Sequence, residues 1–156
     1  MISYNIDVVN AQLRVFDNAI PSCRAFPATE FITYNGTVPG PTVEVPRGHE
    51  SLIRFNNKVN GTFNNSLVHA CNNNGGNEKD NDDDNDNDND NKSGRPIAIH
   101  LHGAASLSVF DGWAEDEICF QESKDYVYPN NMAATLWYHD HALHINTQNV
   151  YLGLAG

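Results

Sequence analysis

Two short stretches decide how this chain folds: IAIHLHG at residues 97–103 and LWYHDHA at residues 136–142. In each, apolar and aromatic residues lead into a His-x-His pair, His100 with His102 and His139 with His141. Side chains alternate between the two faces of a β-strand, so each pair presents two imidazoles on one face, roughly 6 to 7 Å apart at the backbone. We predict that the two stretches are strands which, packed side by side, aim four imidazoles at one small volume.

Four converging imidazoles predict a metal site. Neutral imidazole nitrogen is a good ligand for copper, zinc, iron and nickel. Four are too many for one metal ion that keeps an open coordination position, and they suit half of a polynuclear site. A lone His-x-His pair is more often an ordinary surface or core feature. Two pairs, each following an apolar run, favour metal ligation by His100, His102, His139 and His141.

The rest of the chain also has the pattern of short strands separated by turns, and no segment has a long helical period. The predicted strands are residues 4–15, 31–34, 42–45, 51–55, 97–101, 126–128 and 135–139. Two prolines in Val38-Pro39-Gly40-Pro41 predict a rigid turn, and residues 141–150 are compatible with a short helix. The pattern predicts an all-β sandwich or barrel.

One segment is predicted not to fold. Residues 72–92 are almost entirely Asn and Asp, which bury no apolar surface to offset the entropy of ordering, so we expect a disordered insertion between two strands. Residues 78–92 hold eight acids and two lysines and so carry −6 of the net charge of −11. The remaining −5 is ordinary for a single domain. No basic patch is present, which argues against a nucleic-acid partner.

The compartment is not determined by the sequence. The first residues resemble a strand rather than a signal peptide, and no apolar run reaches membrane-spanning length, so no membrane partner is expected. The three cysteines, Cys23, Cys71 and Cys119, allow one disulfide and one free thiol without requiring them. Phosphate-binding loops, dinucleotide fingerprints and nucleophile elbows are absent from the sequence.

The segments around the His-x-His pairs resemble the first cupredoxin-like domain of the multicopper oxidases, in particular the bilirubin oxidase and spore-coat laccase groups. The resemblance covers nearly the whole chain except the Asn/Asp segment. It rests on DGWAED at residues 111–116, KDY at 124–126, YPN at 128–130 and LWYHDHA at 136–142, together with NG, PGPT and VPRG between residues 35 and 48.

The resemblance implies one cupredoxin-like Greek-key domain over residues 1–156 and copper as the metal. His100 would bind the type 2 copper of a trinuclear cluster. His102 and His139 would share one type 3 copper, and His141 would bind the other. Asp111 matches an acid thought to relay protons to the cluster; without the resemblance it would be a turn acid before Gly112. Asp140, between two inward histidines, is expected to point to the opposite face and act structurally.

The sequence also departs from the family pattern. The type 1 copper of the family needs a Cys flanked by histidines, and Cys119 in EICFQ has no such setting. The other half of the cluster ligands comes from a C-terminal domain that the sequence does not contain. We therefore expect a C-terminally incomplete domain, inactive alone, which needs a C-terminal cupredoxin domain before it can act on O2 and a phenolic or bilirubin-like substrate. The alternatives are a non-catalytic copper-binding module and an incomplete gene product.

Overall fold

The computed structural model describes residues 1–17, 19–60 and 94–156. Within these ranges the chain is mostly strand, with one short helix and two single turns of 3₁₀ helix, Pro21–Cys23 and Ser108–Phe110. The elements are β1 Ile2–Leu13, β2 Thr29–Tyr34, β3 Ser51–Asn57, β4 Ile99–His102, β5 Ser123–Tyr128, β6 Trp137–Asp140 and α1 Asn146–Tyr151. The predicted all-β class is confirmed.

The larger sheet has four strands in the order β2-β1-β3-β5. Strand β1 is antiparallel to β2 and parallel to β3, and β3 is antiparallel to β5. Alternate residues of β3, from Ser51 through Ile53 and Phe55 to Asn57, are buried, because one face of the strand is turned to the core. This period of two is what the alternating apolar residues predicted.

The smaller sheet consists of β4 and β6, paired antiparallel. Its residues Ile99 and Tyr138 belong to the same apolar core as Phe55 and Tyr126 of the larger sheet. The two sheets therefore enclose one core between them, and neither closes on itself, so the molecule is an open sandwich rather than a closed barrel. This packing leaves the opposite face of the β4–β6 pair available for the histidines.

One local prediction was wrong, and another was confirmed with a later start. Residues 42–45 form no strand, because Pro41 and Pro46 bracket them and lack the N–H groups that would extend a ladder. The short helix with which residues 141–150 are compatible is present as α1, which begins at Asn146 because His144 adopts a left-handed φ of 62° that interrupts a helical backbone.

Three further expectations concern the Asn/Asp segment, the cysteines and membrane-spanning segments. The predicted disorder of residues 72–92 falls outside the described residues. Cys119 is disulfide-bonded and Cys23 is a free thiol, which is the arrangement that the cysteine count allowed. Among the described residues, none of the helical segments has the length and apolar character to cross a bilayer.

Candidate metal centre

All four motif histidines line one open cleft of about 600 Å³. The β4–β6 register places His100 opposite His139 and His102 opposite Trp137. The ring centroid of His100 lies 5.3–5.6 Å from those of the other three histidines. The cleft is completed by Trp137 and by Asn146, Thr147, Val150 and Tyr151 of α1. The structure thus shows the convergence of imidazoles that the strand period predicted.

Three of the four imidazoles are close enough to share a metal ion. One nitrogen each of His100, His102 and His139 lies within 4.8 Å of the other two. Their exposure is graded: His139 is buried, His100 is partly buried and His102 is exposed. The fourth, His141, has its ring centroid 5.3 Å from that of His100 and 6.0 Å from that of His139. Its Nδ1 is buried and has no hydrogen-bond partner among the described residues.

Backbone carbonyls determine which nitrogen of two imidazoles faces the cleft. Nδ1 of His100 donates to the carbonyl oxygen of Asp111 at 2.6 Å, and Nδ1 of His139 donates to that of Asp140 at 2.7 Å. A carbonyl oxygen can only accept, so Nδ1 carries the proton in both rings. The lone pair is therefore on Nε2, in the arrangement by which metal-binding histidines are commonly held.

The distance between His102 and His139 fits a shared metal ion. Nδ1 of His102 lies 3.3 Å from Nε2 of His139. Two imidazole nitrogens bound to one tetrahedral ion at about 2.0 Å lie roughly 3.3 Å apart. In the metal-free protein, Nδ1–H of His102 can donate to the lone pair of His139 instead. A metal ion would replace that proton, so the donor set fits the copper that the sequence resemblance implies.

The electrostatics of the cleft favour neutral imidazole at its centre. Burial lowers the pKa of His139. The bond to the Asp140 carbonyl acts in the opposite direction, and the neighbouring imidazoles of His100, His102 and His141 lower the pKa further. Because only the neutral ring offers a lone pair, the lowered pKa favours the form of His139 that could bind a metal ion.

A buried polar network lies on the side of the β4–β6 pair opposite the histidine cleft. The carboxylate of Asp140 accepts hydrogen bonds from the backbone N–H of Ala98 at 3.0 Å and of Ala142 at 3.1 Å. Burial raises the pKa of Asp140 to about 7. The buried Asn149 of α1 accepts a bond from the guanidinium of Arg95 and lies beside Asp140. The structural role expected for Asp140 is confirmed, whereas Asn149 and Arg95 carried no sequence signal.

Asp111 lies behind His100 rather than in the cleft. Its carboxylate oxygen is 3.6 Å from Nδ1 of His100, farther than its carbonyl oxygen, and its side chain is 37% exposed. Gly112 makes this approach possible: its φ is +72°, and a Cβ there would lie 1.9 Å from the carbonyl oxygen of Ile99. His144 is exposed and does not line the cleft.

Trp137 is a cleft residue that the sequence pattern did not single out. Its ring centroid lies 4.1 Å from that of His139 with an interplanar angle of 28°, and 5.3 Å from that of His102 with an angle of 27°. A signal exists, because Trp137 is two positions before His139 and so lies on the same strand face. Trp137 also belongs to an apolar run, however, and a strand that enters the core explains an aromatic residue there equally well.

Comparison with protein families gives a match over almost the whole chain. The sequence model described as multicopper oxidase matches residues 17–80 and 82–156.

Individual relatives agree with the family match. The chain is 38% identical over 130 residues to a bilirubin oxidase of Albifimbria verrucaria. The aligned region covers 83% of this chain and 17% of that protein. It is 32% identical over 142 residues to a laccase of Bacillus stratosphericus, covering 85% of this chain and 25% of that protein. The chain thus spans about a quarter or less of the length of these relatives.

Solved structures support the fold. A multicopper oxidase of Campylobacter jejuni superposes with a TM-score of 0.67 at 23% identity, covering 99% of this chain and 24% of that one. A multicopper oxidase of Pediococcus acidilactici superposes with a TM-score of 0.66 at 14% identity, covering 98% and 24%. At these identities the likeness concerns the fold, which is the cupredoxin-like sandwich predicted from the sequence.

Proposed function

Because the chain belongs to the multicopper oxidase family, we propose that its cleft supplies half of the histidine ligands of a trinuclear copper cluster. The observation that carries the proposal is the placement of four imidazoles in one cleft by two paired strands. A backbone carbonyl leaves the Nε2 lone pair free in two of them, His100 and His139.

The assignment of each histidine follows the sequence motifs. We assign His100 to the type 2 copper, His102 with His139 to one type 3 copper, and His141 to the other. The 3.3 Å between Nδ1 of His102 and Nε2 of His139 supports a shared ion at this pair. The His141 ring centroid lies 6.0 Å from that of His139, whereas that of His102 lies 5.5 Å from it, which supports the assignment of His141 to a different ion from the His102–His139 pair.

The proposed activity is that of the family: bound copper would supply the one-electron redox chemistry that reduces O2 to water at the expense of an organic substrate. The residues of this chain would hold and orient the ions. Backbone carbonyls of Asp111 and Asp140 keep the imidazoles of His100 and His139 in the ligating tautomer. The Asp140 carboxylate links the backbone before β4 to the backbone after β6 through its bonds with the N–H groups of Ala98 and Ala142.

Asp111 is proposed as the proton relay. Reduction of O2 to water consumes protons, and a carboxylate can take them from solvent and release them towards the site. The Asp111 side chain is suited to this because it is partly exposed and its Oδ1 lies 3.6 Å from Nδ1 of His100. Phenolic or bilirubin-like substrates are proposed from the resemblance, with a C-terminal cupredoxin domain completing the cluster.

A chimera tests this function directly. The matching segment of the Albifimbria verrucaria bilirubin oxidase would be replaced by this chain and the protein loaded with copper. We expect O2 consumption with bilirubin as donor, lost in the chimera carrying His102→Ala and His139→Ala. His144→Ala is the matched control, since His144 lies outside the cleft and should leave activity unchanged. A folded, copper-loaded chimera without His-dependent turnover would contradict the proposal.

The alternative, a non-catalytic copper-binding module, is supported by the grouping of three imidazole nitrogens within one chain. It predicts that the chain alone is a stable monomer holding copper without O2 consumption. Copper content measured after gel filtration, for the wild type and for the His102→Ala/His139→Ala variant, distinguishes it from an incomplete gene product, which would not fold.

A further inference from the structure

The two imidazoles proposed to share a metal ion are held by unequal means. Nδ1 of His139 is bound to the carbonyl of Asp140. His102 has no comparable bond to a carbonyl in the part of the chain that the structure describes; its ring nitrogen instead makes the 3.3 Å contact with Nε2 of His139. His102 is also exposed. The exposed ring therefore needs another contact to fix its orientation.

Orientation matters because an imidazole has chemically different edges. The torsion that turns a histidine ring is broad and roughly two-fold. Rotation of the His102 ring out of its present plane would turn Nδ1 away from the position facing Nε2 of His139. Such a ring offers no lone pair to an ion at that position, so free rotation weakens metal binding.

Trp137 supplies the missing contact. It lies directly opposite His102 in the β4–β6 ladder, and its indole stacks on the faces of both His102 and His139. The indole is nearly parallel to each imidazole, with angles of 27° and 28°. A flat ring lying on two others restricts both to rotamers that keep the stack, and stacked aromatic pairs are favourable beyond the area they bury.

We propose that Trp137 is a positioning residue for the His102–His139 metal-binding pair: its indole holds the two rings so that Nδ1 of one and Nε2 of the other face the same ion. The proposal rests on the copper-binding function proposed above. Its ring-positioning part concerns the metal-free protein and can be measured without copper.

Substitutions at Trp137 separate this role from fold stability. The side chain is 43% exposed, so its removal leaves most of the core untouched. Trp137→Ala removes the stack, and Trp137→Phe retains a flat ring at the same place. Trp113 is the other tryptophan of the chain; it is 59% exposed and does not line the cleft, so Trp113→Ala is the matched control.

The first measurement is Cu²⁺ affinity of the 156-residue chain, by competition with a chelator of known affinity, together with the Cu²⁺ electron paramagnetic resonance spectrum. Loss of groups that orient metal-binding histidines typically weakens metal binding about 10- to 100-fold. We expect Trp137→Ala to weaken Cu²⁺ binding roughly tenfold and to alter the spectrum. Trp137→Phe and Trp113→Ala should stay close to the wild type. Wild-type affinity and spectrum in Trp137→Ala would overturn the proposal.

The second measurement is made by NMR on the metal-free chain. In the wild type we expect nuclear Overhauser contacts between the Trp137 indole and the His102 ring, with a single set of His102 ring signals. In Trp137→Ala those signals should broaden or split, and in Trp137→Phe they should remain sharp. Unchanged His102 ring signals in Trp137→Ala would refute the positioning role, whatever the Cu²⁺ affinity of that variant. Copper binding that survives His102→Ala/His139→Ala would instead refute the proposed function, and the NMR result would still decide on Trp137.

Discussion

Nδ1 of His100 lies 2.6 Å from the carbonyl oxygen of Asp111, a residue eleven positions further along the chain. The contact is made by the backbone of Asp111, so it depends on the path of the loop and survives replacement of the side chain. The path of this loop depends in turn on Gly112, whose left-handed backbone lies directly against β4.

Gly112→Ala is therefore expected to be strongly destabilising. The new Cβ would lie 1.9 Å from the carbonyl oxygen of Ile99, at a φ of +72° that disfavours any L side chain. Gly48→Ala is the control, because Gly48 has a φ of +79° with open space around its Cβ position. Urea unfolding should show a loss of about 1–2 kcal/mol for Gly48→Ala and at least about 2 kcal/mol more for Gly112→Ala. Equal losses would show that the clash is relieved by small shifts.

Asp111→Asn distinguishes the role of the Asp111 carbonyl, which orients His100, from the role of its carboxylate, which is proposed to transfer protons. The carbonyl remains, so copper affinity should change by less than about twofold; removal of a proton-transfer group should slow O2 consumption by the chimera roughly 10²-fold. Asp111→Glu keeps a carboxylate and should recover part of the rate. Full activity in Asp111→Asn would exclude the relay role.

Asp140→Ala is expected to lower the free energy of unfolding by about 3 kcal/mol, because it leaves two buried backbone N–H groups, those of Ala98 and Ala142, without acceptors. Asp140→Asn retains one acceptor oxygen and should lose less. Chemical denaturation of the metal-free chain measures both. A loss in Asp140→Ala no larger than in Asp140→Asn would mean that water or another group replaces the carboxylate.

The ion pair between Lys58 and Asp7 should make a pH-dependent contribution on the acid side. The hydrogen bond from Lys58 lowers the pKa of Asp7. A carboxyl with a lowered folded-state pKa stabilises the fold above its unfolded pKa and loses that contribution as pH falls through the folded value. Lys58→Met should therefore be less stable than the wild type at pH 7, by at most about 1 kcal/mol because the pair is exposed. The two proteins should converge near pH 2, as followed by urea unfolding. A constant difference would assign the effect to packing of the lysine stem.

Much of the site could be predicted from local periodicity alone. Two residues separated by one position share a strand face, and this rule is enough to place His100 with His102 and His139 with His141. The same rule places Asp140 on the opposite face, where it is buried. Trp137 obeys the rule too, but an indole is not a metal ligand, so the residue type by itself does not indicate a metal site.

What could not be predicted depends on register and on long-range contacts. The pairing of His100 with His139 is a property of the β4–β6 ladder, and nothing in either strand alone specifies it. The carbonyl of Asp111 reaches His100 through the conformation of Gly112, whereas the sequence pointed only to the carboxylate. Arg95 and Asn149 meet across a sequence separation of 54 residues, which no periodic pattern encodes.

The open side of the cleft has a consequence for which metal reaches it. A site that encloses its ion can reject a competitor by size and geometry, but here His102 is exposed and the imidazoles face solvent on one side. Imidazole accepts Zn²⁺, Ni²⁺ and Cu²⁺ alike, and among divalent ions only the intrinsic order of affinities ranks Cu²⁺ first. We expect purification from zinc-rich medium to yield mismetallated protein, from which excess copper then displaces the zinc. Metal loading of the chain on its own would then be governed by which ions are supplied rather than by the shape of the cleft.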